Sequence, residues 1–262
     1  MNLPRLPRLL RLSALWPCLA LLPVSAAAPA EAPGTVYELR TYVAAPGKGE
    51  ALLARFREHT TRLVERHGLV NVGYWLAADA KDGGAGKLIY LLRHRSREAA
   101  KASWQGFLAD PDWRAVAKAS EAGGKLVAGI ESVFLAATDF TAPMDAGNGG
   151  GERVFELRTY VAAPGKLPAL DARFRDHTRA IFARQGMTNL GYFHPVDEPS
   201  GAGTTLIYFL AYPSREAAAA AWKGFRDDPA WVAARTASEK DGKLTAKVTS
   251  VYLRPADFSR IR

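Results

Sequence analysis

Sulfur is scarce in this 262-residue chain, which has three methionines and a single cysteine, Cys18. One thiol cannot close an intrachain disulfide. Cys18 also falls in an opening segment that reads as removable, so the mature chain is expected to carry no thiol. Cysteine nucleophiles and thiolate-bound metals are thereby excluded. Histidine is sparse too, five in all, with no H-E-x-x-H or paired arrangement to mark a metal site. The glycine-rich stretches Gly83-Gly84-Ala85-Gly86 and Gly147–Gly151 do not join a strand to a helix, so neither is a phosphate cradle. Serine-nucleophile signatures are missing, as are basic runs with interleaved aromatics, which sets nucleic acid aside as a partner. No cofactor is expected. Haem through one histidine stays open, with no other feature arguing for it.

Long apolar runs are also absent. The longest candidate, Leu12–Val24, is short for a membrane span and contains Pro17 and Pro23. It follows Arg5, Arg8 and Arg11 and precedes the small residues Ser25-Ala26-Ala27-Ala28. Residues 1–30 are therefore predicted to be a signal peptide, cut after Ala26 or Ala30. Periplasmic or secreted localisation follows, or mitochondrial import if the source is eukaryotic, with no membrane attachment once the signal is removed. Those three arginines inflate the formal charge of +9; beyond residue 30 there are 32 basic against 26 acidic residues, a net of +6.

What the chain does have is a repeat. Val36–Phe140 superimposes on Val154–Phe258 at a constant offset of 118 positions without a gap, and roughly half the aligned residues are identical. A unit of this length is a small domain rather than a solenoid turn. We divide the chain into module 1 (35–140), a linker (141–152) rich in glycine and read as a flexible tether, and module 2 (153–258).

Each module reads the same way. Val36–Val43 alternates as a strand. Pro46-Gly47 then breaks the chain before a helix whose stripe is Leu52, Phe56, Leu63 and Val64, ended by Gly68. Val70–Leu76 and Leu88–Leu92 are two further strands around the loop Asp79–Gly86. Ser96 caps a second helix, Asp110-Pro111 starts a third, and a last strand runs from about Leu126 to Leu135. The order β-α-β-β-α-β is that of a ferredoxin-like α+β module, an antiparallel sheet with helices on one face. The bare face needs cover. Leu88–Leu92 and Leu206–Leu210 are continuously apolar, as strands buried on both faces would be. The two sheets are thus predicted to pack face to face as an intramolecular dimeric α/β barrel.

Glu38-Leu39-Arg40-Thr41-Tyr42 with Pro46-Gly47-Lys48 recurs at 156–160 with 164–166. Trp104, Phe107, Asp110-Pro111, Trp113, Ser120-Glu121, Val133, Leu135 and Asp139-Phe140 follow at fixed spacing. Together these resemble the NIPSNAP family, a branch of the dimeric α/β-barrel superfamily, over nearly all of residues 35–258. The resemblance implies the fold and little about activity. Relatives in the superfamily include cofactor-independent monooxygenases, haem enzymes and small-molecule binders, and fold does not fix chemistry.

Two constellations could carry function. His59 continues the stripe Leu52, Phe56, Leu63 and should point at the sheet, as should His177 with Leu170, Phe174 and Ile181. Either could be an acid or base, or a core histidine bonded to backbone. Glu38, Arg40 and Tyr42 share one face of the first strand, as do Glu156, Arg158 and Tyr160. If helices cover the apolar side, this polar face projects between the sheets, either to bind an anionic or carbonyl ligand or to cement the halves through Glu–Arg pairs. Tyr74, Tyr90, Trp104 and Trp113, with Tyr192, Tyr208, Trp222 and Trp231, could line a pocket or fill a core. Asn71 and Asn189 fit either an edge or a pocket. His94 and His194 lack counterparts and are expected at the surface.

The expected function is binding of a small apolar or oxygenated molecule, or a protein partner, with Arg40, Tyr42, Tyr74, Arg158, Tyr160 and Tyr192 as ligand contacts. One alternative is a cofactor-independent monooxygenase or isomerase using His59 or His177. A second is a purely structural interaction module. Further homo-oligomerisation is compatible with all three.

Overall fold

The computed structural model describes residue 1 and residues 33–144 and 153–262; the predicted signal peptide and most of the linker lie outside the described residues. Module 1 comprises β1 (Val36–Ala44), α1 (Gly49–Arg55), α2 (Thr61–Arg66), β2 (Val70–Ala77), β3 (Lys87–His94), α3 (Arg97–Ala109), α4 (Pro111–Ser120) and β4 (Val127–Ala137). Module 2 repeats it as β5 (Val154–Ala162), α5 (Leu167–Arg173), α6 (Arg179–Arg184), β6 (Thr188–Pro195), β7 (Thr205–Tyr212), α7 (Arg215–Asp227), α8 (Pro229–Ser238) and β8 (Thr245–Pro255). The expected punctuation operates: Ser96 Oγ accepts from the Ala99 amide, Asp110 accepts from the Asp112 amide, and Gly68 closes α2 with φ of +80°.

The strands form one closed antiparallel barrel in the order β1-β3-β2-β8-β5-β7-β6-β4. Its two seams join the modules. Trp75–Ala77 pairs with Leu253–Pro255, and Leu135–Ala137 pairs with Phe193–Pro195. Past each final strand the chain continues along the other module. The Tyr74 amide donates to Ser259 Oγ at 3.0 Å, and the Tyr192 amide donates to Thr141 Oγ1 at 2.9 Å. The sequence places a loose tether from residue 141, but Ala142 and Met144 are buried, with the Met144 sulfur accepting from the Gly191 amide at 3.1 Å.

Three apolar cores result. One fills the barrel with odd-numbered residues of both first strands, Tyr37, Leu39, Phe155 and Leu157, and with Trp75, Phe193 and Phe209. The other two lie between each module's sheet and its helices. The face assignment made from sequence is thereby corrected. Glu38, Arg40 and Tyr42 point away from the barrel axis, under the helices, and the barrel lining is apolar. Both layers offer apolar cover, so alternation alone did not say which face met which layer.

Glycine is required where the indole of Trp75 folds back over β2: a Cβ built on Gly73 would overlap its six-membered ring, and Gly191 stands likewise under Phe193. Gly73→Ala should therefore destabilise by about 1–3 kcal/mol through overpacking. Urea denaturation checks this, and an unchanged midpoint would mean that the indole has room to move.

Candidate functional site

The first helix of each module is interrupted by a π-helical turn, Phe56–Thr60 in module 1 and Phe174–Thr178 in module 2. The extra residue advances the buried stripe by one position. Thr60 and Thr178 therefore face inward, each hydroxyl donating to a carbonyl five residues back, Arg55 and Arg173, at 3.1 Å. His59 is displaced outward, its side chain 42% exposed and 3.8 Å from Glu58, and His177 is exposed. The orientation expected of both histidines is corrected by this turn, and no helical period in the sequence announces it.

The polar centre beneath α3 is Glu38, whose side chain is 1% exposed. It accepts from Arg40 Nη1, from Trp104 Nε1 at 2.7 Å, from Ser132 Oγ at 2.7 Å and from His94 Nε2 at 3.0 Å. Burial pushes the carboxyl upward, but His94, Arg40, Ser132 and Trp104 more than reverse it and bring its pKa down to about 2. His94, expected at the surface, is 3% exposed. Its counterpart Tyr212 donates to Glu156 at 2.6 Å, so the two positions do equivalent work with different side chains. Arg40 also donates Nε to the Tyr90 hydroxyl at 2.9 Å and Nη2 to Tyr42 at 3.3 Å, with its guanidinium 4.5 Å from the Trp104 ring centre.

Arg40 and Tyr42 form the floor of a cavity of about 520 Å³ between the sheet and the helices. Phe56, Thr60 and Tyr90 line one part of it, and Trp104, Phe107, Trp113 and Ile130 line the rest. Arg55, missed in the sequence, is 6% exposed and bonds to Glu121 at 3.0 Å, while its Nε finds no acceptor. The signal for it was present, because Arg55 and Ser120-Glu121 recur together as Arg173 and Ser238-Glu239. Burial raises the Tyr90 hydroxyl well above the ordinary tyrosine range, so it stays protonated.

The other expected contacts separate. Tyr74 is buried with its hydroxyl bonded to Asn71, and it borders a smaller pocket of about 170 Å³ rather than this cavity. Asn71 also ties β2 to α2 through the Thr61 carbonyl at 2.9 Å, which is a structural role. Tyr192 is 0% exposed and bonds to Asn189 at 2.5 Å. Arg158 pairs with Glu156 at 2.5 Å and lines a groove of about 370 Å³ with Trp222, Ser250 and Tyr252, whereas Tyr160 packs on Phe174 and Tyr208. His194 is half-buried against Asp171 at 3.1 Å. At the cavity positions Leu108, Ala117 and Val127 of module 1, module 2 carries Arg226, Arg235 and Thr245, so the apolar walls belong to module 1.

A closed eight-stranded barrel made by two β-α-β-β-α-β modules, helices outside, defines the dimeric α/β-barrel class, here within one chain. Two solved structures share it at low identity. One is a candidate monooxygenase of Fusobacterium nucleatum, 12% identical, covering 85% of this chain and 93% of its own, with a TM-score of 0.53. The other, an anthrone oxidase-like protein, is 16% identical over 85% of this chain and 91% of its own, with a TM-score of 0.53. Residues 37–142 and again 155–260 match the NIPSNAP family, and the chain belongs to it. No curated protein matches the chain.

Proposed function

We propose that this protein binds a small, largely apolar molecule bearing an oxygen acceptor, in the module 1 cavity under α1 and α3. The observation that carries the reading is the cavity itself. Its volume of about 520 Å³ lies in the range of small-molecule sites, with aromatic walls and few polar groups. Arg40 stays charged, because its neighbours Tyr90, Tyr42 and Glu38 outweigh the effect of burial, and it can donate to a carbonyl or hydroxyl of the ligand. Naphthol, naphthoquinone and acetophenone are suitable probes. A binder present at a hundred-fold its Kd should raise the melting temperature by roughly 5 °C. Ala117→Trp, which fills the cavity from α4 and leaves Glu38 and its partners in the chain, should abolish the rise. A panel without any shift, or an equal shift in the filled variant, would overturn the reading.

A second reading, a cofactor-independent oxygenase or isomerase, draws on what the two barrel structures are called, although at 12% and 16% identity they share only the fold. Against it, neither His59 nor His177 borders the cavity, and the protonated Tyr90 hydroxyl is a poor base. Oxygen uptake with naphthol as substrate would reinstate it. Export rests on residues 1–30, and mass spectrometry of the mature amino terminus tests it: an intact Met1 would count against removal of a signal.

A further inference from the structure

The apolar walls of the module 1 cavity run out to the protein surface. Leu108 and Ile130 both line it, yet they are 58% and 51% exposed. A side chain that meets both the cavity and solvent marks where the two join. β4 pairs with β1 from Val127 to Leu135 but with β6 only over Leu135–Ala137. Ile130 therefore stands at a margin of the sheet, with no strand beyond it among the described residues. Leu108 faces it from the last turn of α3, which ends at Ala109. The polar end is set by the same elements. One turn before Leu108, Trp104 donates to Glu38 and carries the Arg40 guanidinium on its ring. On β1, Arg40 lies two residues before Tyr42, the residue opposite Ile130. Four residues of helix and two of strand each advance about 6–7 Å, so both walls lead from a guanidinium to a hydrocarbon rim.

A lone exposed leucine needs no explanation. Two large apolar side chains at the mouth of one aromatic cavity are a different matter, and module 2 does not repeat the pair. It carries Arg226 at the position of Leu108, and Arg226 borders a groove together with Arg158. The apolar mouth is therefore a property of one module and does not follow from the fold. The cavity is also larger than a ring system alone requires. An apolar space of about 150 Å³ holds benzene, so about 520 Å³ leaves room beyond two fused rings.

We propose that the molecule taken by this cavity is an aromatic alcohol, ketone or quinone bearing an alkyl tail. Its head oxygen sits at Arg40, and its tail leaves between Leu108 and Ile130. The inference rests on the binding reading given above and adds the class and orientation of the ligand. Hydrocarbon laid over two exposed apolar side chains removes apolar area from water on both partners. Turned round, the tail would cover the Arg40 guanidinium and strip it of water without supplying an acceptor, which disfavours that pose.

The test uses the full chain and a series of 4-alkylphenols from methyl to pentyl, with Kd read by titration calorimetry. Affinity should rise about two-fold per added methylene, which is half the free energy of full burial. On that scale 4-pentylphenol binds about fifteen-fold more tightly than 4-methylphenol. Leu108→Arg/Ile130→Thr should shrink this ratio to about three-fold or less. Both residues are exposed, and arginine already stands at the position of Leu108 in module 2, so the double variant keeps its core. Val248→Thr, at the position of Ile130 in module 2, should leave the ratio as in wild type. If 4-methylphenol binds and longer chains add nothing, the tail is overturned while the binding reading stands. A gain that persists undiminished in Leu108→Arg/Ile130→Thr or in Ala117→Trp, or that falls in Val248→Thr, also overturns it. Failure of every alkylphenol to bind overturns the tail alone if naphthol binds, and both readings if it does not.

Discussion

Replacing Trp75 by alanine is expected to lower the stability of the chain by about 3–5 kcal/mol and to do so for both modules in one transition. Trp75 is 0% exposed and stands in the barrel against Phe155 and Phe209 of the other module, at ring-centre distances of 5.7 and 5.2 Å. The cavity left by its removal thus opens between the halves, and neither can relax alone. Trp75→Phe should cost far less. Its indole N–H has no acceptor, so nothing is orphaned by its loss, and phenylalanine already stands at this position in module 2 as Phe193. Urea unfolding followed by tryptophan emission and by circular dichroism measures both effects. Two separated transitions in wild type would show that the seams do not couple the modules.

Glu38→Gln is the second large effect, on the order of 3 kcal/mol at neutral pH, because it leaves the half-buried Arg40 guanidinium without its counter-charge. The pH dependence gives it a signature. Glu38 has its pKa depressed from an ordinary 4.5 to about 2, against burial and through His94, Arg40, Ser132 and Trp104. Its contribution is therefore present in full above about pH 4.5 and is lost as pH falls towards 2. Wild type should lose this increment across that window, while the glutamine variant has no such group to protonate. The gap between the two urea midpoints should be wide at pH 7 and narrow near pH 2. A gap that stays constant across this range would mean that Glu38 is not held ionised by its neighbours.

The architecture could be read from sequence because it rests on local signals that both copies repeat. Ser96, Asp110-Pro111 and Gly68 act through backbone hydrogen bonding and φ, and they behave as the chain suggests. The site was legible only in part. Alternation groups Glu38, Arg40 and Tyr42 on one face but does not name the layer they meet. The π turn shifts His59 by a single residue, and because Phe174–Thr178 contains the same shift, comparing the copies could not expose it. His94 was misplaced for a different reason. A residue without a match in the other copy looks dispensable, yet here histidine and tyrosine meet the same buried carboxylate by different routes.

In an assembly of two identical subunits, every replacement is made in both halves at once, so a cavity cannot keep apolar walls on one side only. Joining the halves in one polypeptide lifts that constraint. One half can then keep apolar walls, as Leu108, Ala117 and Val127 do, while the other carries Arg226, Arg235 and Thr245 at the same positions.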